Sequence, residues 1–171
     1  LARIDNVAFD AKARILGLGG VPTSSKGTSA LSLVDLARRR SVYHAGCAKF
    51  PAPRPRSSMW ALSGPDCGGV LGLVDPTRPP KHGRLIAILH PGKAQRRFLS
   101  EGARFSPDGR LLAELVRPYK RISGGLALTD KRLVIWDPDI RGGPIAQFEV
   151  APPEQLSRPG PDERSAFSPD R

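Results

Sequence analysis

The chain has 171 residues, 39% of them apolar and 25% charged, enough for one domain with an ordinary core. Its 18 Gly and 18 Pro show neither the triplet period of collagen nor the extent of a disordered tract, so they belong to turns. No run approaches 18 consecutive apolar residues, so the sequence contains no candidate membrane-spanning helix and no membrane partner is expected.

In chain order, short apolar runs end alternately in phenylalanine and aspartate. Phe9, Phe50, Phe105 and Phe167 each lead into a turn. Between them stand Ser32-Leu33-Val34-Asp35-Leu36, Gly72-Leu73-Val74-Asp75-Pro76 and Val134-Ile135-Trp136-Asp137-Pro138. Phe9 to Asp35, Phe50 to Asp75 and Phe105 to Asp137 are 26, 25 and 32 residues, whereas the Asp-to-Phe intervals are 15, 30 and 30. A nearly constant half followed by a variable half is the mark of a repeated scaffold carrying variable loops.

The spacing predicts units over 1–45, 46–98 and 99–160, with a fourth beginning in 161–171. The first unit offers strands over 7–9, 14–18, 30–34 and 41–44. In the second, Phe50 leads into a stiff Pro-rich turn at 51–56, followed by strands over 59–62, 70–74 and 84–89. The third opens with a strand over 103–105. Its turn is Ser106-Pro107-Asp108-Gly109, where Pro presets φ at the second position and Gly supplies positive φ. Strands over 110–116, 132–136 and 145–150 follow, with 117–125 read as an inserted loop. No segment sustains a 3.6-residue period, and several strands are apolar on successive residues, as in sheets covered on both faces. The expected fold class is all-β.

The run Phe105-Ser106-Pro107-Asp108-Gly109-Arg110-Leu111-Leu112-Ala113, with Leu133-Val134-Ile135-Trp136-Asp137, resembles a WD-repeat blade. Phe167-Ser168-Pro169-Asp170 repeats its opening. The resemblance implies four-stranded antiparallel blades and hence a partial β-propeller. Asp35 and Asp75 follow Val where the family prefers Trp, and none of His44, His82 and His90 is preceded by Gly. The polar link that joins a histidine to the blade tryptophan is therefore expected to be incomplete. Propellers close with roughly 4–8 blades, and three blades leave two apolar faces uncovered. A longer polypeptide, or other chains, would complete the ring.

The net charge of +11 is uneven. Residues 1–100 hold 16 Lys and Arg against 5 Asp and Glu; residues 101–171 hold 11 of each. The clusters Arg38, Arg39 and Arg40, Arg54 with Arg56, Arg96 with Arg97, and Lys120 with Arg121 are the candidate partner-binding residues. WD-repeat connectivity would put Arg38–Arg40, Arg54 and Arg56 on one rim, with Arg96, Arg97, Lys120 and Arg121 on the other. That division, and the lack of interleaved aromatics, disfavours nucleic acid as the partner and favours protein bound through rim loops, 117–125 among them.

No nucleophile elbow, phosphate loop or metal-ligand spacing is present, so catalytic, cofactor-binding and metal-ligating residues are expected to be absent. The aspartates read as punctuation of turns and strand ends, Asp137 bonding a neighbouring backbone amide. Trp60 and Trp136 read as core residues, and Cys47 and Cys67 as free thiols. The expected role is a non-catalytic interaction scaffold, cytoplasmic in location. The alternatives are a propeller attached to a signalling kinase, ATPase or peptidase, and a basic nucleic-acid-binding propeller.

Overall fold

The computed structural model describes residues 2–22, 29–64, 67, 70–78, 85–89, 97–123, 125–128, 130–140 and 143–150. All regular structure there is β. The first sheet runs β1 (Ala2–Phe9), β2 (Ile15–Pro22), β3 (Ala30–Asp35) and β4 (Arg40–Ala45), each strand antiparallel to the next. The second repeats this with β5 (Phe50–Pro53), β6 (Trp60–Ser63), β7 (Leu71–Val74) and β8 (Leu85–Leu89). The third holds β9 (Arg97–Phe105), β10 (Leu112–Ile122), β11 (Gly125–Leu128), β12 (Arg132–Trp136) and β13 (Ala146–Glu149).

Local chemistry explains the turns. Asp10 Oδ1 accepts from the Arg14 and Ile15 amides at 2.6 and 2.9 Å, and Asp108 Oδ1 from the Arg110 amide at 2.9 Å. At the ends of the third strands, Asp35 accepts from the Arg38 amide, Asp75 from Thr77 and Asp137 from Asp139, at 2.9 to 3.0 Å. Each carboxylate closes an Asx-type turn on its own backbone, which is the role read for Asp137. Gly109 takes φ +75°, the left-handed conformation required at the end of Ser-Pro-Asp-Gly.

The sheets stack through two cores. Ile15, Leu31, Leu33 and Val42 of the first sheet meet Trp60, Leu62 and Val74 of the second. Ala61, Leu71 and Leu73, on the opposite face of the second sheet, meet Phe105, Leu112, Val116, Val134 and Trp136 of the third. All four residues of β6 are buried, so its unbroken apolar character reflects cover on both faces. Gly17 permits the first stack: a Cβ there would stand 2.7 Å from Pro51 Cβ and 2.8 Å from the Trp60 ring. The outward face of the first sheet keeps Ile4, Val7 and Phe9 more than half exposed.

Three local expectations are corrected. Residues 117–125 are no loop: β10 continues to Ile122 and the chain returns along it as β11 and then β12. Between Val116 and Tyr119 three steps on β10 are matched by four on the returning strand, from Leu128 to Arg132, so one bulge divides a single long hairpin. Pro118 lies in that gap, where neither ladder needs its missing N–H. Likewise β9 is a nine-residue strand beginning at Arg97 rather than a short one. The Pro-rich segment after Phe50 is partly strand: Pro51 and Pro53 belong to β5, an edge strand, where a sheet tolerates proline.

Candidate interaction surfaces

The strand directions sort the connections onto two rims. Lys49 and Pro51 lie beside Gly19 and Gly17, so β5 runs antiparallel to β2 and parallel to β1. Arg54 in turn reaches the backbone of Gly109, which sets the β5–β6 turn against the β9–β10 turn. Turns 10–14, 36–39, 54–59 and 106–111 therefore share one rim, and the β10–β11 turn lies on the other.

Arg38, Arg39, Arg40, Arg54 and Arg56 all stand on the first rim, in different environments. Arg54 is a brace. Its guanidinium donates to both oxygens of Asp139 at 2.7 and 2.6 Å and to the Gly109 carbonyl at 2.8 Å, tying the second sheet to two turns of the third. The Arg54 side chain is 15% exposed, and its guanidinium holds the Asp139 carboxyl below the usual carboxylate range. Arg38 pairs with Asp35 at 3.2 Å while remaining exposed. Arg39 and Arg56 occupy left-handed turn positions, at φ +51° and +55°. Arg39, Arg40 and Arg56 are exposed and make no ion pair among the described residues.

On the opposite rim, Arg97 opens β9, paired with Tyr119, and Lys120 and Arg121 lie on β10 opposite Ala127 and Leu126. Arg96 lies outside the described residues. Between the rims, the first strands β1, β5 and β9 line a cleft of about 590 Å³ that includes Asp5, Asn6, Phe50, Glu101 and Arg104. Its two carboxylates are shared: Asp5 with Arg3 and Lys49 at 2.7 and 2.8 Å, Glu101 with Arg117 and Lys131 at 3.0 and 3.2 Å.

The cysteines are not free. Cys47 and Cys67 form a disulfide, with Cα atoms 5.0 Å apart. The β5–β6 hairpin brings them together: Lys49 N donates to Ser63 O at 2.7 Å, placing the residues before β5 alongside those after β6. A 20-residue separation in sequence concealed a cross-hairpin neighbour.

Glu114 also escaped the sequence reading. It sits on β10 between Leu112 and Val116 and is fully buried at the interface with the second sheet. Burial pushes its carboxyl up to about 8, against the opposing pull of Ser100 and Trp136. Those groups stand near enough to oppose the shift, yet Glu114, Ser100 Oγ and Trp136 Nε1 close no hydrogen bond in the described structure. The carboxyl is therefore a neutral acid at pH 7. The signal was present as a single charged residue at an inward position of an apolar strand. His44, by comparison, makes one cross-strand contact among the described residues, Nδ1 to Ser32 Oγ at 3.2 Å.

No protein-family model and no curated protein matches the sequence. Solved structures do match in fold. A chain of a mitotic checkpoint complex overlays with a TM-score of 0.57 at 12% identity, over 86% of this chain and 37% of that one. The β-propeller domain of Myceliophteria thermophila Cps50 (Swd1) overlays with a TM-score of 0.55 at 13% identity, over 88% of this chain and 45% of that one. A dihydro-heme d1 dehydrogenase, NirN, overlays with a TM-score of 0.48 at 12% identity, over 86% and 37%. The chain thus spans less than half the length of each. With three antiparallel sheets stacked face to face around a cleft lined by their first strands, it has the fold of consecutive β-propeller blades, as the WD-repeat resemblance implied.

Proposed function

We propose that this chain is part of a non-catalytic interaction scaffold that engages an acidic protein surface through the rim bearing Arg38, Arg39, Arg40 and Arg56. One observation carries the reading. Arg38 and Arg39 stand on a turn capped by the Asp35 carboxylate and Arg40 follows it, Arg56 stands on the turn that Arg54 braces against Asp139, and Arg39, Arg40 and Arg56 have no acidic partner among the described residues. Stiff turns lower the ordering cost of binding, and unpaired guanidiniums favour carboxylates as bidentate partners.

The test is affinity capture from the source organism's extract with the wild-type chain and with Arg39→Glu/Arg40→Glu/Arg56→Glu. A protein retained by the first and lost from the second, at equal thermal stability, supports the reading. Equal capture by both would overturn it. A captured species removed by nuclease treatment would replace the protein partner by a nucleic acid.

A further inference from the structure

We infer that this protein works in an oxidising compartment outside the cytosol, because the Cys47–Cys67 disulfide is a structural bond at the junction of the first two sheets. Read from the sequence, the thiols are free and the location cytoplasmic. In the folded chain the bond uses both cysteines and leaves none free.

The bond joins two segments that are held mainly through backbone contacts. Cys47 lies in the link from β4, which ends at Ala45, to β5, which begins at Phe50. That link runs against two glycines. A Cβ on Gly64 would stand 2.5 Å from the Cys47 carbonyl oxygen and 2.9 Å from Ala48 Cα, and one on Gly19 would overlap the Lys49 carbonyl. Cys67 lies between β6 and β7 in Gly64-Pro65-Asp66-Cys67-Gly68-Gly69, where three glycines in six residues give the unfolded chain wide conformational freedom. In the folded chain Cys67 N donates to Gly64 O at 3.2 Å and Val70 N to Cys67 O at 3.3 Å, at the long end of the N–H···O range. Cross-linking the two segments removes much of that freedom from the unfolded state, and the folded state gains by the difference.

The surroundings are those of a structural bond. Cys67 packs on the core made by Trp60, Leu62 and Val74, and both cysteines are half-buried. Their 20-residue spacing, across a hairpin, is not the Cys-x-x-Cys spacing of thiol-exchange centres. Lys49, two residues beyond Cys47, pairs with Asp5 of β1 at 2.8 Å, so the pinned link also ties the first strands of both sheets. A bond in that role has to persist. Cytosolic glutathione and thioredoxin hold thiols reduced, whereas secreted, lumenal and envelope compartments keep them paired. Its formation takes two protons and two electrons from the thiols. Thiol–disulfide exchange passes both to an oxidised disulfide carrier, which leaves as a dithiol. The location narrows the partner as well: resting on the reading above, the acidic surface met by the arginine rim belongs to a protein of that same compartment.

The test starts from cells of the source organism. Acid quenching followed by a maleimide reagent reports the thiol state, and fractionation separates cytosol from secreted, lumenal or envelope material. The chain should take up no reagent before reduction, label at both cysteines after it, and fractionate outside the cytosol. Labelling of both cysteines without reduction, or a bonded chain confined to the cytosol, would overturn the inference. A second measurement checks the structural role on the purified, bonded chain, melted with and without reductant. Reduction should lower the melting temperature by about 6–12 °C, and Cys47→Ser/Cys67→Ser should melt with the reduced chain. An unchanged melting temperature would remove the structural role and with it the reason for the compartment. None of these outcomes decides whether the arginine rim binds an acidic protein, which the capture experiment tests separately.

Discussion

Replacing Glu114 with glutamine isolates the cost of holding an ionisable group in the core between the second and third blades. The folded carboxyl titrates at about 8 against an ordinary value of 4.5. Below pH 4.5 the group is protonated in both folded and unfolded chains and contributes no pH dependence. Between pH 4.5 and about 8 the unfolded chain gives up its proton and the folded chain keeps it, so stability falls as pH rises, by about 1.4 kcal/mol per pH unit. Integrated over that interval, the penalty reaches about 5 kcal/mol and levels off once the folded carboxyl also ionises. Glu114→Gln keeps the shape and removes the titration. Urea denaturation of both proteins from pH 4 to pH 9, followed by the fluorescence of the buried Trp60 and Trp136, measures the difference directly. The variant should match the wild type near pH 4, gain on it steadily through neutrality and lead by several kcal/mol at about pH 8 and above. Parallel stability curves across the whole range would refute the reasoning, because they would mean that the folded carboxyl titrates at its ordinary value.

Two further expectations concern the packing of the second blade. Gly17→Ala places a methyl within 2.7 Å of Pro51 and 2.8 Å of Trp60, both part of the neighbouring sheet. It should cost about 1–3 kcal/mol in denaturant unfolding, and an unchanged midpoint would show that the two sheets yield freely at that contact. Cys47→Ser/Cys67→Ser removes a link across 20 residues of chain, for which the chain-entropy relation gives about 3 kcal/mol. Under non-reducing denaturation the wild type should take up no alkylating reagent, and reducing agent should lower its melting temperature while leaving the variant's unchanged. Labelling of both cysteines without reductant would show that the bond does not form.

The legible part of this protein is what nearest neighbours along the chain determine. Asp35, Asp75, Asp108 and Asp137 each accept from an amide no more than three residues away, so the turn is written where the aspartate stands. Apolar residues in succession along β6 and β7 likewise announce sheets covered on both faces, because water is excluded from each side of the strand. The tertiary structure alone decided the rest. Arg54 finds Asp139 across 85 residues, and that contact, rather than the local cluster it shares with Arg56, sets what its charge can do. Cys47 and Cys67 meet because a hairpin closes between them. Residues 117–125 carry a Pro and two Gly, which locally favour a turn, yet the ladders to β9 and β11 draw most of them into an extended hairpin. Glu114 titrates near 8 only because two sheets close over it, which no property of its own strand requires. Turn chemistry acts over three or four residues and is written in the sequence; burial, ion pairing and strand extension depend on which surfaces the stacked sheets bring together, and the fold decides that.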